Sequence, residues 1–134
     1  MTNAGIESVF RTELKTMTLY IKDNNVAWPN EAFSRPKSGG WYEVDHLPGT
    51  PIQSALGEGS PNRWVGIYQI TICVPLNIGK DMLNARYNAI AEHFKRGTVF
   101  SGIEIERVYC GPDDTESDHY RLPVRIEYRA DIAN

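Results

Sequence analysis

Apolar residues near the N-terminus recur at three- and four-residue steps: Ile6, Val9, Phe10, Leu14 and Met17. That spacing lines one face of a helix and predicts a helix over residues 3–18. Thr2 or Asn3 is the candidate N-cap, and Glu7 lies in the early turns where negative charge suits the helix dipole. KDNN at 22–25 ends the pattern. Two short extended segments follow, VAWPNEAF (Val26–Phe33) and WYEVDHL (Trp41–Leu47), separated by the turn-rich SRPKSGG. Pro29 lacks a backbone donor and biases Trp28 toward an extended conformation, while Asn30 tolerates turn geometry. VAWPNEAF therefore reads as a strand end running into a turn, with Trp28 and Phe33 aimed either at the core or at a partner. Trp28 is expected to pack against the sheet or the first helix while Asn30 holds the turn.

Residues 49–62, GTPIQSALGEGSPN, are polar and glycine-rich. Without the Gly-Lys-Ser/Thr ending of a phosphate-cradling loop, they read as a mobile arm. RWVGIYQITICVP (63–75) is apolar on both parities in places, which predicts a central strand that Pro75 ends. A second helix is expected from Asp81 to Arg96, with Met82, Leu83, Tyr87, Ile90, Ala91 and Phe94 as its buried stripe and Gly97 as its C-terminal cap. Strands at 99–110 and 119–130 flank the loop GPDDTESD. In the last strand Tyr120, Leu122, Val124, Ile126 and Tyr128 face one way, and His119, Arg121, Arg125, Glu127 and Arg129 the other. The order of elements predicts an α+β fold over residues 1–134: one domain, a mainly antiparallel sheet with two principal helices packed on one face.

Composition changes this picture little. With 134 residues, 41% hydrophobic and 23% charged, the chain fits one globular core. It has no apolar run long enough for a membrane helix, and MTNAGIESVF lacks the charge and hydropathy pattern of a secretory signal. A net charge of −3 argues against tight nucleic-acid binding through phosphate neutralisation. Cys73 and Cys110 both fall in strand-like runs and read as two buried thiols; a disulfide would require their strands to be neighbours. Trp64 and Tyr87 are expected in the core, and Trp28 and Trp41, beside loops, to be partly exposed.

No constellation for catalysis stands out. Asp113, Asp114, Glu116 and Asp118 lack the central glycine and terminal glutamate of a calcium loop and read as solvated. His46, His93 and His119 show no metal-ligand spacing with each other or with the cysteines. No serine or cysteine sits in a nucleophile elbow. Glu104 and Glu106 alternate with Ile103 and Ile105, as on a half-exposed strand. The residues alone call for no catalytic group, cofactor or metal. A small enzyme or ligand-binding protein with a pocket between helices and sheet is the alternative.

Taken in order, AWPNEAF, WYEVDHLPG, GIYQITICVPLNIGK, IAEHFKRGTVF and YRLPVRIEY resemble a small phage protein family related in fold to the tail terminator proteins of long-tailed phages. The resemblance spans nearly the whole chain, and its most specific pieces are Trp28-Pro29-Asn30 with Phe33 and the GIYQITICVP-to-GK helix entry. It implies a structural protein that assembles as a ring, usually a hexamer, on the head-proximal end of the tail tube. There it would stop tube growth and form the joining surface for the head and its connector proteins. It also implies a place in the virion tail, reached from the host cytoplasm during assembly, with DNA only passing through. It brings no catalytic residues.

Charge suggests how subunits would meet. Arg121, Arg125 and Arg129 line one face of the last strand, and Asp113, Asp114, Glu116 and Asp118 precede it. A hairpin tip is not expected to reach back onto its own flank, so the acidic loop of one subunit is expected to meet the arginines of the next, with Trp41 as an exposed anchor.

Overall fold

The computed structural model describes residues 3–17, 25–36, 40–49, 52–53, 62–116 and 118–132. Helix α1 (Asn3–Lys15) is followed by strands β1 (Val26–Ala27), β2 (Trp41–Pro48), β3 (Ile52–Gln53) and β4 (Asn62–Pro75). Helix α2 (Asp81–His93) then leads to β5 (Val99–Phe100), β6 (Ile103–Cys110), β7 (Asp114–Thr115) and β8 (His119–Ile132). One sheet holds all eight strands in the order β1-β2-β4-β8-β6-β5, with β3 added on β4 and β7 on β8. Every pairing is antiparallel except β1 with β2. The centre is the pair β4–β8, in register from Asn62↔Ile132 to Pro75↔His119. The expected α+β architecture is therefore what forms.

Strand periodicity decides the two faces. Tyr42 and Val44, Tyr68, Ile70, Ile72 and Val74, and Val124, Ile126, Tyr128 and Ala130 form one face, all buried. Ile6, Phe10 and Leu14 of α1 and Leu83 and Ile90 of α2 pack with them, as does Phe94 just beyond α2. Phe10 stacks on Tyr68 with centroids 4.3 Å apart. Both helices thus cover the same side, as burial of each apolar stripe requires.

Several details depart from expectation. The second helix stops at His93, because beyond the buried Phe94 the chain offers no further apolar anchor; Gly97 (φ +87°) instead sits in a turn and donates its N–H to Ile105 O at 2.8 Å. Met82 is exposed rather than part of the stripe. The 99–110 segment is a β5–β6 hairpin rather than one strand: Ser101 and Gly102 both take positive φ, +49° and +86°, the type I′ requirement for a two-residue loop. The first helix stops at Lys15, short of the predicted residue 18, with Thr16 and Met17 in a closing turn; Thr2, Thr18 and most of the 49–62 arm lie outside the described residues. Within that arm Ile52 and Gln53 pair with Arg63 and Asn62.

Trp28 is buried in the core cluster, and the turn after it closes with Glu31 N–H donating to Trp28 O at 3.2 Å. Asn30, at φ +56°, supplies the left-handed position of that turn, and Phe33 is half-buried. Trp28 thus packs into the core as its turn predicts, which overturns its expected partial exposure; Trp41 is buried too, whereas Trp64 and Tyr87, expected in the core, only lean on its rim.

Candidate assembly surface and a buried polar cluster

The odd-numbered residues of β2, β4 and β8 face away from the helices. At the end of the sheet near β7 they converge on the Glu43 carboxylate. Trp41 Nε1–H donates to it at 3.2 Å, Arg121 at 3.1 Å and the Cys73 thiol at 3.6 Å. His119 lies against Trp41, ring centroids 4.8 Å apart, and its Nδ1 meets the Asp118 carboxylate at 2.6 Å. Arg35 caps the group: its guanidinium is 4.8 Å from the centre of the Trp41 ring and bonds Asp118 at 2.9 Å. Burial, reinforced by the Glu43 charge, pushes the Cys73 thiol up to about 12. The His119 interaction holds the Asp118 carboxyl below its ordinary range.

Two expectations are corrected here. Trp41 is buried within the subunit, because Arg35 and His119 cover the ring that its position beside a loop suggested would be open. Cys110 is exposed, Cys73 is buried, and both are free thiols; β8 separates their strands. The sequence also gave no spacing cue that Cys73, His119 and Glu43 would meet. Only the registers Trp41↔Cys73, Cys73↔Arg121 and Pro75↔His119 bring them together.

The acidic hairpin also behaves differently. It does reach its own flank, because Asp114 and Thr115 form β7 and pair with Arg121 and Tyr120 of β8. Glu116 bonds Arg121 at 3.3 Å, and Asp113 takes the Tyr120 hydroxyl and lies 3.6 Å from Lys80. Arg129 is held by Glu104 at 2.5 Å and Glu106 at 3.1 Å. The register shift between Ile105 and Arg107 leaves Glu106 as an extra residue, so two glutamates serve one arginine. Arg125 differs: Gln69 accepts its Nε–H at 3.1 Å, and among the described residues it has no carboxylate partner.

On the helix side an open cleft of about 270 Å³ lies between α1 and the Trp28 turn. Its charged groups and its histidine are engaged within the subunit. His46 Nδ1 meets Glu7 at 2.8 Å, and His46 Nε2 meets the Tyr128 hydroxyl at 2.5 Å. Burial, with Glu7 adding to it, raises the Tyr128 phenol to about 12. Arg11 pairs with Glu31.

A family model described as phage tail terminator protein matches residues 5–128. The chain belongs to the phage tail terminator family. This family is structural, and the chain is a phage-tail structural protein of the virion. Among curated proteins none matches. One solved structure aligns over 97% of this chain and 96% of its own at 17% identity, with a TM-score of 0.72. A chain in the virion of a native gene transfer agent (GTA) particle aligns over 99% of this chain and 100% of its own at 12% identity, TM-score 0.53. At these identities the two structures show a shared fold. No helix of this tail terminator family member, among the described residues, is long and apolar enough to cross a membrane.

Proposed function

We propose that this protein closes into a ring, a hexamer by the family expectation, at the head-proximal end of a phage or prophage tail tube. It ends tube growth there and offers the surface on which head connector proteins dock, while DNA passes through without being read. The family match over residues 5–128 carries this reading. Three features support it. The two sheet edges differ, β1 on β2 at one and β5 on β6 at the other, so joining unlike edges by a repeated rotation gives a heterologous contact that can close. Leu47 near one edge and Val99 at the other are 48% and 58% exposed, apolar side chains suited to contact between subunits. Arg125, without an ionic partner among the described residues, is a charge that a neighbour can satisfy.

The acidic residues Asp113, Glu116 and Asp118 and the arginines Arg121 and Arg129 then enter the ring as internally paired surfaces rather than as open charges, with Asp114 held beside them by β7. The pocket alternative gains no support from the helix-side cleft, whose His46 is already bonded to Glu7 and to the Tyr128 hydroxyl behind it, and whose Arg11 is paired with Glu31. Electron microscopy of the purified protein, alone and mixed with tail tubes, tests the proposal. Rings capping one end of tubes of regular length are expected; tubes that grow past the added protein would refute it.

A further inference from the structure

The geometry points to a divalent transition-metal site, zinc by its donor set, at Glu43, Cys73 and His119. One ligand atom from each lies within 4.8 Å of the others, and Cys73 and His119 are both buried. A thiolate, an imidazole and a carboxylate form a mixed set that suits zinc, and three protein donors leave a fourth position for water. The spacing already fits in part. Zinc–sulfur and zinc–oxygen bonds of about 2.3 and 2.0 Å at a tetrahedral angle put the two ligand atoms about 3.5 Å apart. Cys73 Sγ and Glu43 Oε2 are 3.6 Å apart.

The surroundings are those of a metal's outer shell. Asp118 occupies His119 Nδ1, which leaves Nε2 as the ligating nitrogen and forms a carboxylate–histidine pair of the kind that orients zinc ligands. Trp41 and Arg121 hold the Glu43 carboxylate in place. Charge also favours a cation: Glu43, Glu116 and Asp118 already outnumber Arg35 and Arg121, before any charge on the Cys73 sulfur. Bound there, it would displace the thiol proton and tie β2, β4 and β8 together beside the β7 hairpin, fixing that end of the sheet.

Cobalt(II) titration of the full, chelator-stripped chain under reducing conditions tests the site. One equivalent is expected to bind with a thiolate-to-metal charge-transfer band. Cys73→Ser should abolish the band and Cys110→Ser should leave it unchanged. Asp118→Asn, at an exposed position, should weaken cobalt binding by about 10- to 100-fold. No band in the unaltered protein, or a band lost with Cys110 and kept without Cys73, overturns the assignment. If Cys73→Ser does not fold by circular dichroism, Asp118→Asn decides, and an unchanged affinity there refutes the site.

Discussion

The Arg11 guanidinium lies 4.2 Å from the centre of the Trp28 ring, sealing from solvent an aromatic that Pro29 and Asn30 have already turned toward the core. The relationship joins α1 to the segment before β2, elements distant in sequence. Trp28→Ala should therefore destabilise the subunit by about 3–5 kcal/mol, the range for a large buried aromatic. Asn30→Gly should be nearly neutral, whereas Asn30→Val should cost about 1–3 kcal/mol, because a β-branched residue resists a φ of +56°. Urea unfolding measures both. A Trp28→Ala loss below about 1 kcal/mol would contradict the packing role.

Gly66 faces a second constraint. A Cβ there would lie 2.5 Å from the Tyr128 hydroxyl oxygen and 2.9 Å from its Cζ, where that phenol meets His46. Gly66→Ala should cost about 1–3 kcal/mol through overpacking. Tyr128→Phe should cost about 1–3 kcal/mol by leaving the His46 nitrogen unsatisfied. The double substitution should cost less than the sum, since the oxygen is gone from the clash. Additive losses would show that the two sites do not share this contact.

What could be read from the chain alone was what periodicity encodes. Ile6, Phe10 and Leu14 on α1, and Val124, Ile126 and Tyr128 on β8, share one core because three-to-four and alternating steps each dictate a face. Features that depend on strand register were not legible. Glu43, Cys73 and His119 meet only because β2, β4 and β8 pair in one particular alignment. Ser101-Gly102 breaks a run whose flanking residues keep strand character, so the hairpin is carried by backbone angles rather than by hydropathy. The burial of Trp41 depends on Arg35 arriving over its ring, which nothing near Trp41 in sequence announces.

Acid should weaken the fold through its paired carboxylates. The Arg107 hydrogen bond holds the Glu127 carboxyl below its ordinary range, and His119 does the same for Asp118. A carboxylate depressed in the folded state contributes stability that is complete above its unfolded pKa of about 4. That stability is lost as pH falls through the lower folded value. Unfolding free energy should therefore decline below about pH 4, and Glu127→Gln should be less stable at neutral pH with a shallower acid decline. Urea melts across this range provide the check; parallel curves for the two proteins would exclude Glu127 from the acid response.

Arg125 separates assembly from folding. Arg121 is committed to Glu43 and Glu116, and Arg129 to Glu104 and Glu106, so reversing either charge would remove contacts within the subunit. Among the described residues Arg125 bonds only the neutral Gln69, and its guanidinium rests against Gly111, where a Cβ would approach its Cζ to 2.9 Å. Arg125→Glu should thus change subunit stability by less than about 1 kcal/mol, as expected for a partly exposed position without an ion pair. A charge left open on a strand flank can instead pair across a subunit boundary, where it sets register and partner choice more than affinity. Ring closure should then weaken as salt rises and fail in Arg125→Glu, giving monomers by light scattering and tubes of irregular length, while thermal unfolding barely moves. Tubes of regular length bearing heads, formed with the variant, would remove Arg125 from the interface.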